Sequence, residues 1–178
     1  MTDLYPSESG ASRVAALGHE RLTYLDSPVD ARDVPENLGG FRTIFDAFHQ
    51  FPPDVARSVM QDAIRSKQGL GVFEMTDRHP WTMFSVIALP FFLWLLVPWM
   101  RPFRWSRLLI TYVIPILPIV VLFDGFVSCV RTYRPSDLDG LIAELDTEDG
   151  YVWERGQVSL PWRAMRVTYL IGTPRADG

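Results

Sequence analysis

The stretch FRTIFDAFHQFPPDVARSVMQDAIRSKQGLGVFE, residues 41–74, changes its hydrophobic period twice and so decides the fold class. FRTIFDAF follows the Gly39-Gly40 turn and reads as a strand. After Pro52-Pro53, DVARSVMQDAIRSK sets Val55, Val59, Met60, Ala63 and Ile64 on one helical face, with Asp54 near the positive N-terminus of that helix. Gln68-Gly69 stops the helix, and the apolar run LGVFE reads as a buried strand. A strand, a helix and a strand in that order predict a parallel pair in an α/β sheet, because the crossover helix returns the chain in the same direction.

The same alternation continues outward. Upstream, Thr2 to Tyr5 reads as the tail of a strand, Pro6-Ser7 as a turn, Ser7 to Leu17 as a helix, and LTYLDS (22–27) as a short strand. Downstream, Ser136 and Asp139 predict a capping box, and Leu138, Leu141, Ile142 and Leu145 recur at helical spacing. Two strands follow, YVWERGQV and MRVTYLIGT, and the short link SLPWRA makes them an antiparallel pair. The expected architecture is a single α/β domain with a mostly parallel sheet and a C-terminal antiparallel pair.

With 178 residues the chain has room for one domain with a real core. Lys plus Arg number 17 against 21 Asp plus Glu, a net charge of -4, and no basic face is visible, so nucleic acid is not an expected partner. Cys129 is the sole cysteine; it excludes an internal disulfide and a thiolate metal cluster, fits a reducing compartment, and reads as a small buried apolar side chain. The first 50 residues hold no apolar run of the kind a secretory signal needs.

The apolar weight lies in the middle. Pro80 to Met100 carries no charge, Leu108 to Phe123 carries none, and RPFRWSR between them supplies Arg101, Arg104 and Arg107. A spanning helix needs about 20 apolar residues, but Pro90, Pro98, Pro115 and Pro118 would kink or break these runs. Strands on both sides of the insert must join one sheet, so two crossings would export the three arginines, against the positive-inside tendency. An interfacial hairpin over residues 80–123 avoids that conflict, with Trp81, Trp94, Trp99 and Trp105 suited to the membrane interface. A hydrophobic lid buried against the domain or a dimer mate is the alternative.

Asp3-Leu4-Tyr5-Pro6, PVDARDVP (28–35), FRTIFDAFHQFPPDVARSVMQDAIR (41–65) and VTYLIGTP (167–174), in that order and spacing, together resemble class I S-adenosylmethionine-dependent methyltransferases. Asp3-Leu4-Tyr5-Pro6 resembles the D-x-S-P turn after that family's second strand, whose acidic residue holds the cofactor ribose. PVDARDVP resembles the D-A-x-x-L-P stretch after its third strand, which here puts Asp30 and Ala31 against the adenine. Residues 41–65 resemble its fourth strand and following helix, although Arg42 stands where Asp is usual and His49 is one of a usual pair. VTYLIGTP looks like the end of the antiparallel pair that gives this sheet its single reversed strand. The resemblance covers everything except the apolar middle. The Gly-rich turn that cradles the cofactor does not precede Asp3, so the resemblance implies a domain lacking its first βα unit and inactive without it.

The resemblance implies S-adenosylmethionine as cofactor, bound by Asp3, Asp30 and Ala31, and a Rossmann-like methyltransferase sheet. Methyl transfer is a direct displacement that needs alignment, a base only if the acceptor loses a proton, and no metal. Asp46 and His49 fall at the carboxyl end of a parallel strand, where open α/β sheets bind ligands. Either could orient or deprotonate an acceptor, or His49 could be a structural histidine packed under the following helix. Glu74 is a third carboxylate on that rim, with a helix-capping or surface role as its alternative. The expected function is methyl transfer to a small-molecule or lipid-like acceptor on the cytoplasmic side of a membrane contacted through residues 81–123. A non-catalytic membrane-associated binding or scaffold protein is the rival.

Overall fold

The computed structural model describes residues 1–19, 21–146, 150–159 and 166–175. Helix α1 (Glu8–Ala16) starts where Ser7 caps it, the hydroxyl accepting from Gly10 N–H at 3.1 Å. Strand β1 (Arg42–Phe45), helix α2 (Pro53–Arg65) and strand β2 (Leu70–Glu74) follow as the amphipathic pattern of residues 41–74 requires. The apolar middle forms α3 (Pro80–Leu96), α4 (Trp105–Leu108) and α5 (Ile116–Arg131), and the chain ends with α6 (Pro135–Ala143), β3 (Tyr151–Ser159) and β4 (Arg166–Pro174). The connection between the last two strands, which contains most of SLPWRA, lies outside the described residues.

The four strands form one mixed sheet in the order β1-β2-β4-β3. β1 and β2 are parallel, with Ile44 opposite Val72; β4 runs antiparallel to both neighbours, with Leu170 opposite Val72 and Arg155. Three strands therefore point one way and β4 alone is reversed. By pairing, however, the sheet is not mostly parallel, because one pair is parallel and two are antiparallel. α2 and α6 cover one face: Val59, Met60, Ala63, Leu138 and Leu141 close on Leu70, Val72 and Leu170, all nearly or fully buried. On the opposite face Phe45 stacks on Phe73 at 5.3 Å yet remains largely exposed.

Two expected strands do not form. The opening residues and LTYLDS run side by side in the same direction, joined by Leu25 N–H to Met1 C=O and Val29 N–H to Asp3 C=O, both 2.9 Å, but neither enters the sheet. Pro6 and Pro28 lack backbone donors, and the carboxylates of Asp3 and Asp30 draw the N–H groups of Tyr5 and Arg32 into local turns. The start of α6 also differs. Pro135 occupies its first position, so Arg134 is the cap and Asp137, not Asp139, accepts the cap N–H at 2.9 Å.

The apolar insert is a hairpin of broken helices that runs beyond residue 123 to Arg131. α3 tolerates Pro90 in its interior, Pro98 falls in a short 3-10 turn (Val97–Trp99), and Pro118 lies in the first turn of α5, where its missing N–H has no helical partner to lose. The leg Trp105–Val113 bends by 75° into Ile116–Arg131. α3 and α5 pack closely at Gly125, where a Cβ would stand 2.9 Å from Val86 Cγ1. Thr76 and Thr132 clamp the base of the hairpin through a 2.7 Å hydroxyl pair. Most of the large apolar side chains exposed in the molecule lie between Trp81 and Val130.

Candidate functional site at the carboxyl rim of the parallel pair

β1 ends at Phe45 and β2 at Glu74, so the residues that follow emerge side by side at one rim. Asp46 N–H continues the ladder to Phe73 C=O at 2.9 Å, and Asp46 then turns into the left-handed region (φ 49°). Aspartate tolerates this conformation better than most residues because its short side chain bonds locally. Here that side chain accepts Met75 N–H at 2.8 Å, which locks the ends of the two strands together. The turn carries the chain into the short 3-10 segment Phe48–Gln50, which lays His49 over the end of β2.

Glu74 organises the site. It shares the core face of β2 with Leu70 and Val72 and is 3% exposed. One carboxylate oxygen accepts Phe48 N–H at 2.7 Å, and the other lies 2.5 Å from His49 Nδ1. A buried carboxylate with both oxygens engaged by donors is the arrangement that offsets its desolvation. It also selects the tautomer: with Nδ1–H donated to Glu74, the lone pair of His49 sits on Nε2.

The donor set has a second chemical reading. Asp46, His49 and Glu74 each place one ligating atom within 4.8 Å of the others, a pair of carboxylates and an imidazole of the kind that takes a divalent cation. Each Glu74 oxygen already accepts one hydrogen bond, so a cation there would have to use the remaining lone pairs. As it stands the cluster is a hydrogen-bonded acid–base pair with Asp46 beside it.

The structure thus brings together Asp46, His49 and the third rim carboxylate. Glu74 does not lie on the surface; it accepts the first N–H of the 3-10 segment, a capping role, and is at the same time the partner of His49. Asp3 and Asp30 are near each other, since Val29 N–H bonds Asp3 C=O, but among the described residues no hydrogen bond joins them to the rim cluster. Asp3 spends a carboxylate oxygen on Tyr5 N–H at 3.0 Å. Asp30 is engaged by the Arg32 guanidinium, with Nη2 at 2.6 Å, and by Arg32 N–H; these bonds hold its carboxyl down at about 2. Ala31 packs against the core and offers only backbone atoms to a ligand.

At the opposite rim Arg42 bonds Asp62 at 2.6 Å and Ser66 at 3.0 Å, tying β1 to α2. A further recess, lined by Arg78, Arg134 and Arg166, escapes sequence reasoning altogether, because three separate segments contribute the arginines and no local motif marks them. Comparison with known proteins finds no matching family model, no matching curated protein and no matching solved structure.

Proposed function

We propose that this chain is a membrane-associated domain of methyltransferase type, acting on an apolar, lipid-like acceptor with S-adenosylmethionine as the methyl donor. The observation that carries the reading is the strand order, in which the last strand of the chain is inserted, alone reversed, between β2 and β3. That is the C-terminal arrangement to which the sequence resemblance points. The rim cluster lies at the carboxyl ends of β1 and β2, the side on which α/β sheets receive ligands. S-adenosylmethionine would supply an electrophilic methyl group. His49, oriented by Glu74, would take the acceptor proton on Nε2, and Asp46 would help position the acceptor.

The insert supports the apolar character of the acceptor. Pro80–Trp99 is 20 residues long, about 30 Å as a helix, and only 11% of its most apolar window is buried. A core helix of a water-soluble domain would be covered; this one presents Phe84, Ile87, Phe91 and Leu95 outward. Asp124 is exposed midway along α5, and the arginines of RPFRWSR stand at the tip. Both favour a hairpin lying in the interface over one that spans the bilayer.

A second reading is a non-catalytic lipid-binding module. It is favoured by the closure of Asp30 on Arg32. Calorimetric titration of S-adenosylmethionine into the full chain in mild detergent separates the two. Under the transferase reading Arg32→Ala strengthens binding by releasing Asp30, and Asp30→Ala weakens it. No heat from either wild type or Arg32→Ala would reject cofactor binding by this chain and leave the binding module.

A further inference from the structure

The recess of about 370 Å³ at the base of the hairpin is built from four segments. Arg78 and His79 come from the loop that leads into α3, Arg134 and Ser136 from the start of α6, Gln157 from β3, and Arg166 from the first residue of β4. The chain enters the hairpin just after His79 and returns from it at Arg131, so the recess sits where the apolar helices meet the sheet. One carboxylate, Asp77, lines it, and a second, Asp137, engages two of the arginine residues from outside the lining. Asp137 accepts the Arg134 N–H and lies 3.5 Å from Arg78. Asp77 is 4% exposed; one of its oxygens accepts His79 N–H at 3.0 Å, and the other has no partner. Arg78 Nε is likewise buried without an acceptor, and among the described residues Arg134 and Arg166 make no ion pair.

We propose that this recess binds the phosphoryl headgroup of an anionic phospholipid. Three guanidiniums around one cavity suit phosphate oxygens, which take paired N–H bonds from each. The orphaned Asp77 oxygen adds a requirement, because a buried carboxylate lone pair must find a donor. A hydroxyl next to the phosphate, as on the glycerol of phosphatidylglycerol, supplies one; a choline headgroup has none to give. The position explains the lipid source: with the hairpin in the interface, its base lies at headgroup depth, beside the apolar surface that would hold the acyl chains. The proposal rests on the membrane reading of the hairpin and is independent of methyl transfer.

Flotation of the full chain with vesicles tests both parts separately. Phosphatidylcholine vesicles measure the hairpin alone, and added phosphatidylglycerol measures the recess. We expect phosphatidylglycerol to strengthen binding, and Arg134→Gln/Arg166→Gln to lose about fivefold per arginine of that gain while keeping its binding to phosphatidylcholine. Arg13→Gln/Lys67→Gln, equal in charge but outside the recess, should keep the gain. Phosphatidylmethanol, which carries the charge without the hydroxyls, should give less than phosphatidylglycerol. An equal loss in both double variants, or equal binding to the two anionic lipids, would reduce the effect to diffuse charge and overturn the proposal. Abolition of the gain by millimolar inorganic phosphate would assign the site to free phosphate and overturn the lipid source. Failure of wild type to float with phosphatidylcholine would reject the hairpin reading itself.

Discussion

Removing the Glu74 carboxylate should damage the molecule far more than its peripheral place at the end of a strand suggests. In Glu74→Ala, Phe48 N–H and His49 Nδ1–H lose their acceptor in a site where Phe48 is 1% and His49 5% exposed. Each orphaned donor costs about 1–3 kcal/mol, and the missing methylene and carboxyl group leave a small cavity worth roughly 1 kcal/mol. The expected loss is about 3–7 kcal/mol. Glu74→Gln is gentler: the amide oxygen can keep Phe48 N–H, and the amide NH2 can face His49 once the imidazole proton moves to Nε2. That variant should lose about 1–2 kcal/mol. Denaturant unfolding in mild detergent, read by tryptophan fluorescence, gives the global loss, and hydrogen exchange at the Phe48 amide gives the local one. Glu74→Ala within 1 kcal/mol of wild type, or unchanged protection of Phe48, would refute the claim that Glu74 organises the rim.

Burial pushes the Tyr151 phenol up to about 12, and its hydroxyl donates to Gln68 C=O at 2.8 Å. The folded value lies above the unfolded one near 10, so this contribution is complete below about pH 10 and is lost as pH rises toward 12. Alkaline unfolding should show a loss of roughly 1–2 kcal/mol over that window, discounted for partial exposure, and Tyr151→Phe should abolish that component. The hairpin is checked in intact cells by Ser106→Cys in a Cys129→Ser background. The interfacial reading expects no modification by a membrane-impermeant thiol reagent from outside, and labelling there would establish a spanning hairpin instead.

Residues 41–74 were legible because their signals are local and agree with one another. The face of α2 that carries Val59, Met60 and Ala63 is the face that reaches the core, and LGVFE, apolar at nearly every position, is one of the two strands with neighbours on both sides. The convergence of Asp46, His49 and Glu74 followed from chain direction, since parallel strands deliver their carboxyl ends to one rim. The direct bond between His49 and Glu74 did not, because it depends on the left-handed turn at Asp46 and the 3-10 segment after it. LTYLDS carries a strand's alternation but no partner within the sheet, and strand propensity without a partner yields an extended loop. The cap of α6 moved because Pro135 fixes a helix start more firmly than a Ser-to-Asp spacing does. The arginine recess is a purely tertiary object, assembled by the return of the chain from the hairpin and by the register of β4.

The position of the hairpin links the two sites. Its base is fixed by the Thr76–Thr132 pair and by the Tyr133 hydroxyl on Phe51 C=O at 2.7 Å, so it leaves the domain from the segment that directly follows Glu74. Arginines stand at both ends, Arg78, Arg131 and Arg134 at the base and Arg101, Arg104 and Arg107 at the tip, with an exposed apolar surface between them that is interrupted by Asp124. A hairpin upright in a bilayer would export the tip arginines, against the positive-inside tendency, and would hold Asp124 in hydrocarbon at a penalty of about 2.5–3.5 kcal/mol for a charge at the centre. Laid flat, it keeps every one of these charges at headgroup depth and still buries its aromatic face. On the proposed interfacial reading the rim of β1 and β2 would face the lipid surface. An acceptor dissolved in the membrane could then reach His49 without crossing water, while a headgroup held by Arg134 and Arg166 would fix the distance between rim and bilayer.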